Sequence, residues 1–406
     1  MTCTSERSAA RPGDEQGGGS GKSRRTFFAR GATLGLGIAA VGGVVGGSVA
    51  DAAPVLPQPP QFDSATSVYN LKGANTRRTR AALALARLGA GVARIGFLGD
   101  SVTAGTGTTR GTSDPVTLLR QQFARAKFRT GELVHLYSAA PEPRVTYAGT
   151  WADQSINVPW RRGQAGATLT FSGVGRYLEL VVSNESVTGF TTAIDGGAPV
   201  SHTTTGALTY KTMTLDAGTD GAHTLVLKLA GNSFVYGVGI RHADGVVVEN
   251  AGISGAATAN FLASFGSANV MSAASYFDVD TFLVELGAND MYQAVPVATY
   301  KTNLLAIVDK CLASGANVVL VATHTPAGNS GWPPYLAAQY EIADLRDLPL
   351  LDLTDRMGWL GTAGDFDGTP YDLAVPDGKH LTAVGNSVKA MAWLDVLGPI
   401  GTGTQP

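Results

Sequence analysis

The chain has 406 residues, enough for about two domains of ordinary size, and 44% of them are hydrophobic, which supports a large core. Its 52 glycines follow no triplet period, which excludes a collagen-like fibre. A net charge of −2 with only 15% charged residues excludes the basic surface that nucleic-acid binding requires.

The first 52 residues predict an export signal. Arg24 and Arg25 precede an apolar, glycine-rich run over 31–50, an order that is typical of twin-arginine signals. Small residues at Ala50 and Ala52 fit cleavage after Ala52. We therefore expect a secreted bacterial protein that meets the membrane only during export. The alternative is an uncleaved anchor, although the glycines make the run weakly hydrophobic for a membrane span.

Helices and strands alternate after a linker or N-terminal extension over 53–75. The alternation occupies two segments, 76–146 and 243–400. Its pattern predicts helices near 76–88, 297–313, 335–345 and 382–397, and strands near 93–98, 245–249, 281–286, 317–322 and 350–353. Such alternation favours an α/β fold, in which helices cover both faces of a parallel sheet.

The segment between these two, residues 147–242, has a different period. Apolar residues alternate with polar ones in short runs such as 168–171, 177–182 and 223–229, and Gly, Asp and Asn separate the runs. This pattern predicts an all-β sandwich that is inserted into the α/β domain.

Ser101 is the candidate nucleophile. It follows the buried strand predicted over 93–98, so it lies at the carboxyl end of the sheet, where open α/β sheets bind their ligands. The surrounding sequence departs from the Gly-x-Ser-x-Gly elbow, because Thr103 stands where that motif has its second glycine. An ordinary serine in a strand-to-helix turn is the alternative.

Four short motifs resemble blocks of the SGNH (GDSL-like) hydrolases, and they occur in the order of that family. The motifs are Gly99-Asp100-Ser101, Asn250-Ala251-Gly252-Ile253-Ser254-Gly255, Val284-Glu285-Leu286-Gly287-Ala288-Asn289-Asp290 and Asp377-Gly378-Lys379-His380. The resemblance covers both α/β segments and leaves the β insertion unexplained. It implies an SGNH-type, flavodoxin-like parallel sheet and a serine esterase.

The resemblance also implies a role for individual residues. Ser101 would be the nucleophile, His380 the base and Asp377 the acid that orients it. The Ser101 amide, the Gly255 amide and the Asn289 side chain would form the oxyanion hole. The chemistry agrees, because a serine hydroxyl needs an adjacent base, imidazole titrates near neutral pH, and an oxyanion needs preorganised donors.

Three further residues are candidates for the substrate cleft. His324 follows another predicted strand at the same end of the sheet, but it has no acid at short spacing, so His380 is preferred as the base. Trp151 and Trp160 could stack on sugar rings. The alternative is that these aromatic residues fill the core of the sandwich or the seam between domains.

The expected function is hydrolysis of O-acyl esters, chiefly acetyl esters, on an extracellular carbohydrate. The β insertion resembles the carbohydrate-binding-like modules of carbohydrate esterases, so an acylated glycan or a small ester is the expected substrate partner. Zinc-ligand spacing, a Walker-type loop and a dinucleotide fingerprint are all missing from the sequence, so we expect no metal and no cofactor. The alternatives are a lipase or general acyl esterase, and a surface or phage-derived glycan-binding adhesin on a hydrolase-like scaffold.

Overall fold

The computed structural model describes the chain in several stretches. These are residues 63, 65–136, 142–152, 160–184, 188–206, 209–262, 264–265, 268–269, 278–324, 331–358 and 371–398. The predicted signal peptide, 1–52, lies outside them. In the stretches that are described, no helix combines the length and the hydropathy needed to span a membrane.

The described elements begin with a short strand and end with a helix. The strands are β1 (Val68–Tyr69), β2 (Val92–Gly99), β3 (Thr130–His135), β4 (Val145–Ala148), β5 (Trp151–Ala152), β6 (Arg161–Gly163), β7 (Thr168–Ser183), β8 (Phe190–Ile194), β9 (Val200–His202), β10 (Tyr210–Leu229), β11 (Ser233–Arg241), β12 (Gly245–Gly252), β13 (Ser264–Phe265), β14 (Ala268–Asn269), β15 (Thr281–Glu285), β16 (Asn317–Ala322) and β17 (Leu350–Asp352). The helices are α1 (Arg77–Arg87), α2 (Ser101–Ala104), α3 (Pro115–Arg125), α4 (Thr258–Leu262), α5 (Ala288–Tyr292), α6 (Val297–Ala313), α7 (Pro333–Arg346), α8 (Leu353–Met357) and α9 (Ala383–Leu397).

Parallel strands form the middle of the main sheet. Their spatial order is β12-β2-β15-β16-β17, which is the 2-1-3-4-5 order of a flavodoxin-like sheet. β3 extends this sheet beyond β12 in the same direction. In the sheet, β2 lies between β12 on one side and β15 on the other, so the strand order reverses direction at β2. The carboxyl ends of these three strands therefore meet at the topological switch point, where such sheets place their ligands.

Helices cover both faces of this sheet, as the sequence predicts. Successive side chains of a strand point to opposite faces, so Phe97 and Leu98, each 1% exposed, lie in different hydrophobic clusters. The ring of Phe97 lies 4.5 Å from the ring of Trp393 in α9. Leu98 belongs to the cluster that contains Tyr300 of α6 and Ile342 of α7. The sequence of a strand that is buried on both faces is a nearly continuous apolar run, which is why β2 could be identified from sequence.

The β region expected over 147–242 continues the same sheet. Its last strand, β11, pairs antiparallel with β3, and β7, β10, β8 and β9 follow outward in that order. The sheet is therefore mixed, with a parallel half and an antiparallel half. The antiparallel half has its own apolar cluster, which includes Phe171, Leu180 and Leu225. A sandwich separate from the α/β sheet is not confirmed, because the hydrogen bonds between β3 and β11 join the two.

A buried charge network also links the two halves. Arg94 of β2 donates from Nη1 to Glu249 of β12 at 2.9 Å and also pairs with Glu179 of β7. Arg241 of β11 donates from Nε to the same Glu179 at 2.6 Å. Burial raises the pKa of Glu249 to about 7, although the charge of Arg94 opposes this shift.

Part of the expected linker, 53–75, belongs to the α/β domain. β1 pairs antiparallel with β17 and so adds a strand to the edge of the sheet. Val68 is 1% exposed, and the Asn70 side chain donates a hydrogen bond to the Leu348 carbonyl at 3.1 Å. Residues 67–70 therefore pack against the α/β domain as an N-terminal extension of it, and the expected boundary at residue 75 stays a prediction.

Candidate active site

Ser101 is the first residue of α2, directly after the buried strand β2. Asp100 caps this helix, since its Oδ1 accepts a hydrogen bond from the Val102 N–H at 2.9 Å. Gly105 ends the helix in the left-handed conformation, with φ of 85°. The close approach of β12 requires Gly252, because a Cβ atom there would lie 2.4 Å from the Ala104 nitrogen. The serine hydroxyl is thereby held at the carboxyl edge of the sheet.

His380 and Asp377 reach Ser101 from the turn before α9. Nε2 of His380 lies 2.8 Å from Oγ of Ser101, and its Nδ1 lies 2.6 Å from Oδ2 of Asp377. The other oxygen of Asp377 accepts from the backbone N–H groups of Lys379 and His380 at 2.8 and 2.9 Å. Burial opposes ionisation, but hydrogen bonds from the His380 ring and these N–H groups hold the pKa of Asp377 below its usual value. The three predicted side chains thus form one hydrogen-bonded chain.

The predicted oxyanion donors lie beside the serine. Gly255 follows β12 with φ of 77°, a conformation that favours glycine, and its N–H has no acceptor among the described residues. Asn289 lies in α5 after β15. Its Nδ2 donates to Oδ2 of Asp100 at 3.2 Å and to the Ala256 carbonyl at 3.1 Å. Both hydrogens of this amide therefore have an acceptor within the protein.

A buried ion pair lies beneath the nucleophile. Nζ of Lys389 is 2.6 Å from Oε2 of Glu285, and the same carboxylate accepts from the Thr103 hydroxyl at 2.7 Å. Lys389 also donates to the Val102 carbonyl at 3.2 Å. Burial, followed by the nearby charge of Glu285, raises the pKa of Asp100 to about 7. Neither Lys389 nor this pair was singled out from the sequence, because nothing in their local patterns distinguishes them.

His324 follows β16 and is almost completely buried, with 1% of its surface exposed. Its Nε2 lies 2.9 Å from the Lys379 carbonyl oxygen. Burial, together with the charge of Lys389, lowers the pKa of His324 to about 3. His324 therefore supports the turn that carries the predicted acid and base, and its ring forms part of the cleft wall.

The cleft around Ser101 has a volume of about 240 Å³. Its described walls are mostly small or polar residues, and they come from α2 and its cap, the β12–α4 loop, α5, the residues that follow β16 and the turn before α9. They are Asp100, Ser101, Val102, Ser254, Gly255, Ala288, Asn289, Tyr292, Thr323, His324, Lys379 and His380. Tyr292 and Lys379 were missed by the sequence analysis, although each lies within three residues of a predicted site residue.

The two tryptophans predicted for the cleft lie elsewhere in the described structure. Trp160 is 4% exposed, and its ring lies 5.3 Å from that of Tyr236. The half-buried Trp151 donates its indole N–H to the Thr168 carbonyl at 3.1 Å and packs against Tyr147. Neither residue lines the cleft of Ser101. The structure therefore corrects both assignments, because the rings are used in packing within the β region.

A family model matches the second part of the chain. Residues 219–388 match the GDSL-like lipase/acylhydrolase family. This range includes Gly255, Asn289, Asp377 and His380, whereas Ser101 lies before it. No curated protein sequence matches the chain.

Solved structures are similar to the chain at low sequence identity. The chain is similar to a structure described as a peptidoglycan O-acetylesterase in action, with 17% identity, a TM-score of 0.62, and coverage of 81% of this chain and 97% of the other. The esterase EstA of Pseudoalteromonas sp. matches with 14% identity, a TM-score of 0.38 and coverage of 75% and 96%. A family two carbohydrate esterase of Cellvibrio japonicus matches with 11% identity, a TM-score of 0.29 and coverage of 66% and 98%.

The family match and the flavodoxin-like sheet agree on the kind of protein. The matched residues supply two of the strands that meet at the switch point, β12 and β15, and the turn that contains His380. The structure described as a peptidoglycan O-acetylesterase shares this fold over nearly its whole length. The chain therefore carries a GDSL-like lipase/acylhydrolase domain over residues 219–388, and its sheet has the flavodoxin-like order expected of an SGNH-type hydrolase.

Proposed function

We propose that the protein is an exported serine esterase that removes small O-acyl groups, chiefly acetyl, from an extracellular carbohydrate. The observation that carries this proposal is the chain of hydrogen bonds from Ser101 through His380 to Asp377, at 2.8 and 2.6 Å, in the wall of an open cleft. This arrangement fits nucleophilic catalysis by a serine.

The proposed reaction has two acyl-transfer steps. Oγ of Ser101 attacks the ester carbonyl carbon while Nε2 of His380 accepts the hydroxyl proton. When the tetrahedral intermediate breaks down, His380 gives this proton to the leaving alcohol, and the acyl group remains on Ser101. Water then attacks the acyl-enzyme with His380 again as the base, which releases the carboxylic acid and restores the serine. Asp377 keeps the Nδ1 proton of His380 in place and stabilises the imidazolium.

Three donors are proposed for the oxyanion: the N–H groups of Ser101 and Gly255 and the side-chain amide of Asn289. Because both hydrogens of the Asn289 amide are already engaged, the oxyanion must replace or share one of these hydrogen bonds. Above its pKa of about 7, Asp100 is charged and is a stronger acceptor than the neutral Ala256 carbonyl, so we expect the bond to Ala256 to break and the bond to Asp100 to remain. The negative charge of the oxyanion then makes the new bond the stronger one.

A small acyl group fits the walls beside the nucleophile. Ser254, Gly255 and Ala288 line the cleft with side chains of no more than two heavy atoms. Because these side chains offer little apolar surface to a long acyl chain, they favour a short one such as acetyl. A carbohydrate is proposed for the alcohol because the chain shares its fold with a structure described as a peptidoglycan O-acetylesterase.

Labelling and substrate profiling test this function together. A fluorophosphonate should label the wild-type protein at Ser101 and leave Ser101→Ala unlabelled. On aryl esters of increasing chain length, acetate should be the best acyl group, and an O-acetylated sugar should release acetate. His380→Ala and Ser101→Ala should each lose about 10³-fold or more in kcat, since members of such a triad act as a unit. Labelling of another serine, or a preference for long acyl chains, would contradict the proposal.

Export is a separate part of the proposal and has its own test. Replacing Arg24 and Arg25 together by Lys should leave full-length precursor in the cytoplasm, because twin-arginine export depends on this pair. Cell fractionation with an antibody against the folded domain measures the outcome. Equal export of the wild type and the double Lys variant would contradict the twin-arginine assignment and would not affect the esterase assignment.

A further inference from the structure

A cation lies at the rim of the cleft. The ammonium of Lys379 is 4.3 Å from the centroid of the Tyr292 ring, and both residues line the cleft that contains Ser101. Lys379 is exposed and Tyr292 is 38% exposed, so a ligand in the cleft can reach both. A cation at this distance over an aromatic ring is attracted to it, which limits the positions that the flexible side chain adopts.

The backbone on both sides of this pair is tied to the predicted catalytic groups. The Lys379 N–H donates to Oδ1 of Asp377 at 2.8 Å, and the Lys379 carbonyl accepts from His324 at 2.9 Å. Tyr292 lies in α5, three residues after Asn289. These hydrogen bonds hold the backbone of Lys379, and the contact with Tyr292 restricts its side chain, so less ordering is needed when the ammonium binds a charged group.

The charge of Lys379 is not neutralised within the described part of the protein. Its ammonium has no carboxylate at salt-bridge distance there. The carboxylate of Asp377 is bonded to His380 and two backbone N–H groups, and that of Asp100 is 1% exposed and bonded to Val102 and Asn289. Among the described residues, a negative group that enters the cleft therefore meets a cation that no carboxylate pairs with.

We infer that Lys379 and Tyr292 bind a carboxylate on the alcohol part of the substrate, so that the enzyme prefers esters of acidic sugars. The inference rests on the proposed function. The carboxylate is assigned to the alcohol because the acyl group of the proposed function, acetyl, carries no charge. The exposed ring of Tyr292 then offers an apolar face to the sugar that bears the carboxylate.

A matched pair of esters tests the inference. 4-Acetoxybenzoate and its methyl ester release acetate from nearly the same phenol, but only the first carries a negative charge. The measured quantity is the ratio of kcat/KM for the acid to kcat/KM for the methyl ester. This ratio should fall about threefold to fivefold in Lys379→Gln, which is the effect of one partly exposed ion pair. Lys379→Arg, which keeps the positive charge, should retain most of the wild-type ratio.

Two further variants separate the site from general effects. Lys310→Gln removes the same charge from an exposed position at the end of α6, outside the cleft, and should leave the ratio unchanged. Tyr292→Leu should lower the ratio, whereas Tyr292→Phe, which keeps the ring, should preserve it. In the wild type the ratio should also fall as salt is added, because the contact is exposed to screening, and Lys379→Gln should lose this salt dependence.

The sugar itself is tested with two acids. O-acetylated galacturonic acid and O-acetylated muramic acid, each compared with its methyl ester, carry the carboxylate on the ring and on a side ether respectively. A Lys379-dependent preference for either acid supports the inference and identifies the source of the carboxylate. An equal loss on acid and methyl ester in Lys379→Gln, or no loss on either, overturns it. Absence of wild-type activity on every ester would instead overturn the proposed function.

Discussion

Nε2 of His324 lies 2.9 Å from the carbonyl oxygen of Lys379, the residue between Gly378 and His380. A carbonyl oxygen only accepts, so the ring proton must be on Nε2. The low pKa of His324, about 3, keeps the ring neutral, and its buried Nδ1 has no hydrogen-bond partner among the described residues. His324 therefore acts as a positioning residue for the turn that holds Asp377 and His380.

Replacing His324 tests this role through turnover. His324→Leu removes the donor, and we expect kcat on an aryl acetate to fall about tenfold, since a small displacement of a catalytic group costs rate rather than binding. His324→Gln places an amide nitrogen near the position of Nε2 and should recover most of the loss. KM should change little in either variant. Equal losses in both variants would show that the volume of the ring matters and its hydrogen bond does not.

The same residue predicts a change in the pH dependence of stability. His324 has a pKa of about 3 when folded and its ordinary 6.5 when unfolded, so below pH 6.5 the unfolded chain binds one more proton. Protonation of His324 in the unfolded chain therefore lowers the free energy of unfolding as the pH falls. His324→Gln removes this titrating group. On going from pH 7 to pH 5.5, the free energy of unfolding of the variant should therefore rise by about 1 kcal/mol relative to that of the wild type.

Urea denaturation at the two pH values measures that difference. Other titrating groups, such as Glu249, are present in both proteins and cancel in the comparison. A difference between variant and wild type that stays constant with pH would contradict the neutral, buried state of His324.

Asp100 and Asn289 should act together on the oxyanion. Asn289→Ala should lower kcat by about 10²–10³ with little change in KM, because its hydrogen bond strengthens mainly when the oxyanion forms. Asp100→Asn replaces the acceptor of the Asn289 amide and should also lower kcat. If Asp100 works by holding Asn289, the double variant should be no slower than Asn289→Ala alone. Additive losses measured by steady-state kinetics would show that the two residues act independently.

The network around Arg94 should make a large contribution to stability. Arg94→Met leaves the carboxylates of Glu179 and Glu249 buried without their shared partner, and we expect a loss of about 3–5 kcal/mol in the free energy of unfolding. Lys301→Met is the matched control, because its ion pair with Glu341 is exposed and should contribute no more than about 1 kcal/mol. Similar losses in the two variants, measured by urea denaturation, would mean that the buried network contributes no more to the free energy of unfolding than an exposed ion pair.

The α/β part of the fold could be predicted because its strands have a strong local signal. The buried run over 93–98 corresponds to β2, and the helix expected over 297–313 corresponds to α6. The contribution of residues 65–75 could not be predicted in the same way. β1 has only two residues, and it becomes a strand through its pairing with β17, far away in the sequence.

The approach of Ser101, Asp377 and His380 could be anticipated from the order of the motifs, since strand ends converge at the switch point of such a sheet. The rim formed by Tyr292 and Lys379 could not, because it depends on how α5 faces the turn before α9. An aromatic residue in a β pattern is likewise compatible with the core and with a binding surface. For Trp160, the packing of its ring against Tyr236 shows that it belongs to the core.

The pairing of β11 with β3 has a consequence for aggregation. Without its antiparallel neighbour, β3 would be the edge of the parallel sheet, and its unpaired N–H and C=O groups could template the addition of a strand from another molecule. The antiparallel half covers this edge and moves the end of the sheet outward to β9, a strand of only three residues. A protein shortened by removing this half would expose β3 and should self-associate, so the antiparallel strands also protect the parallel half from intermolecular sheet formation.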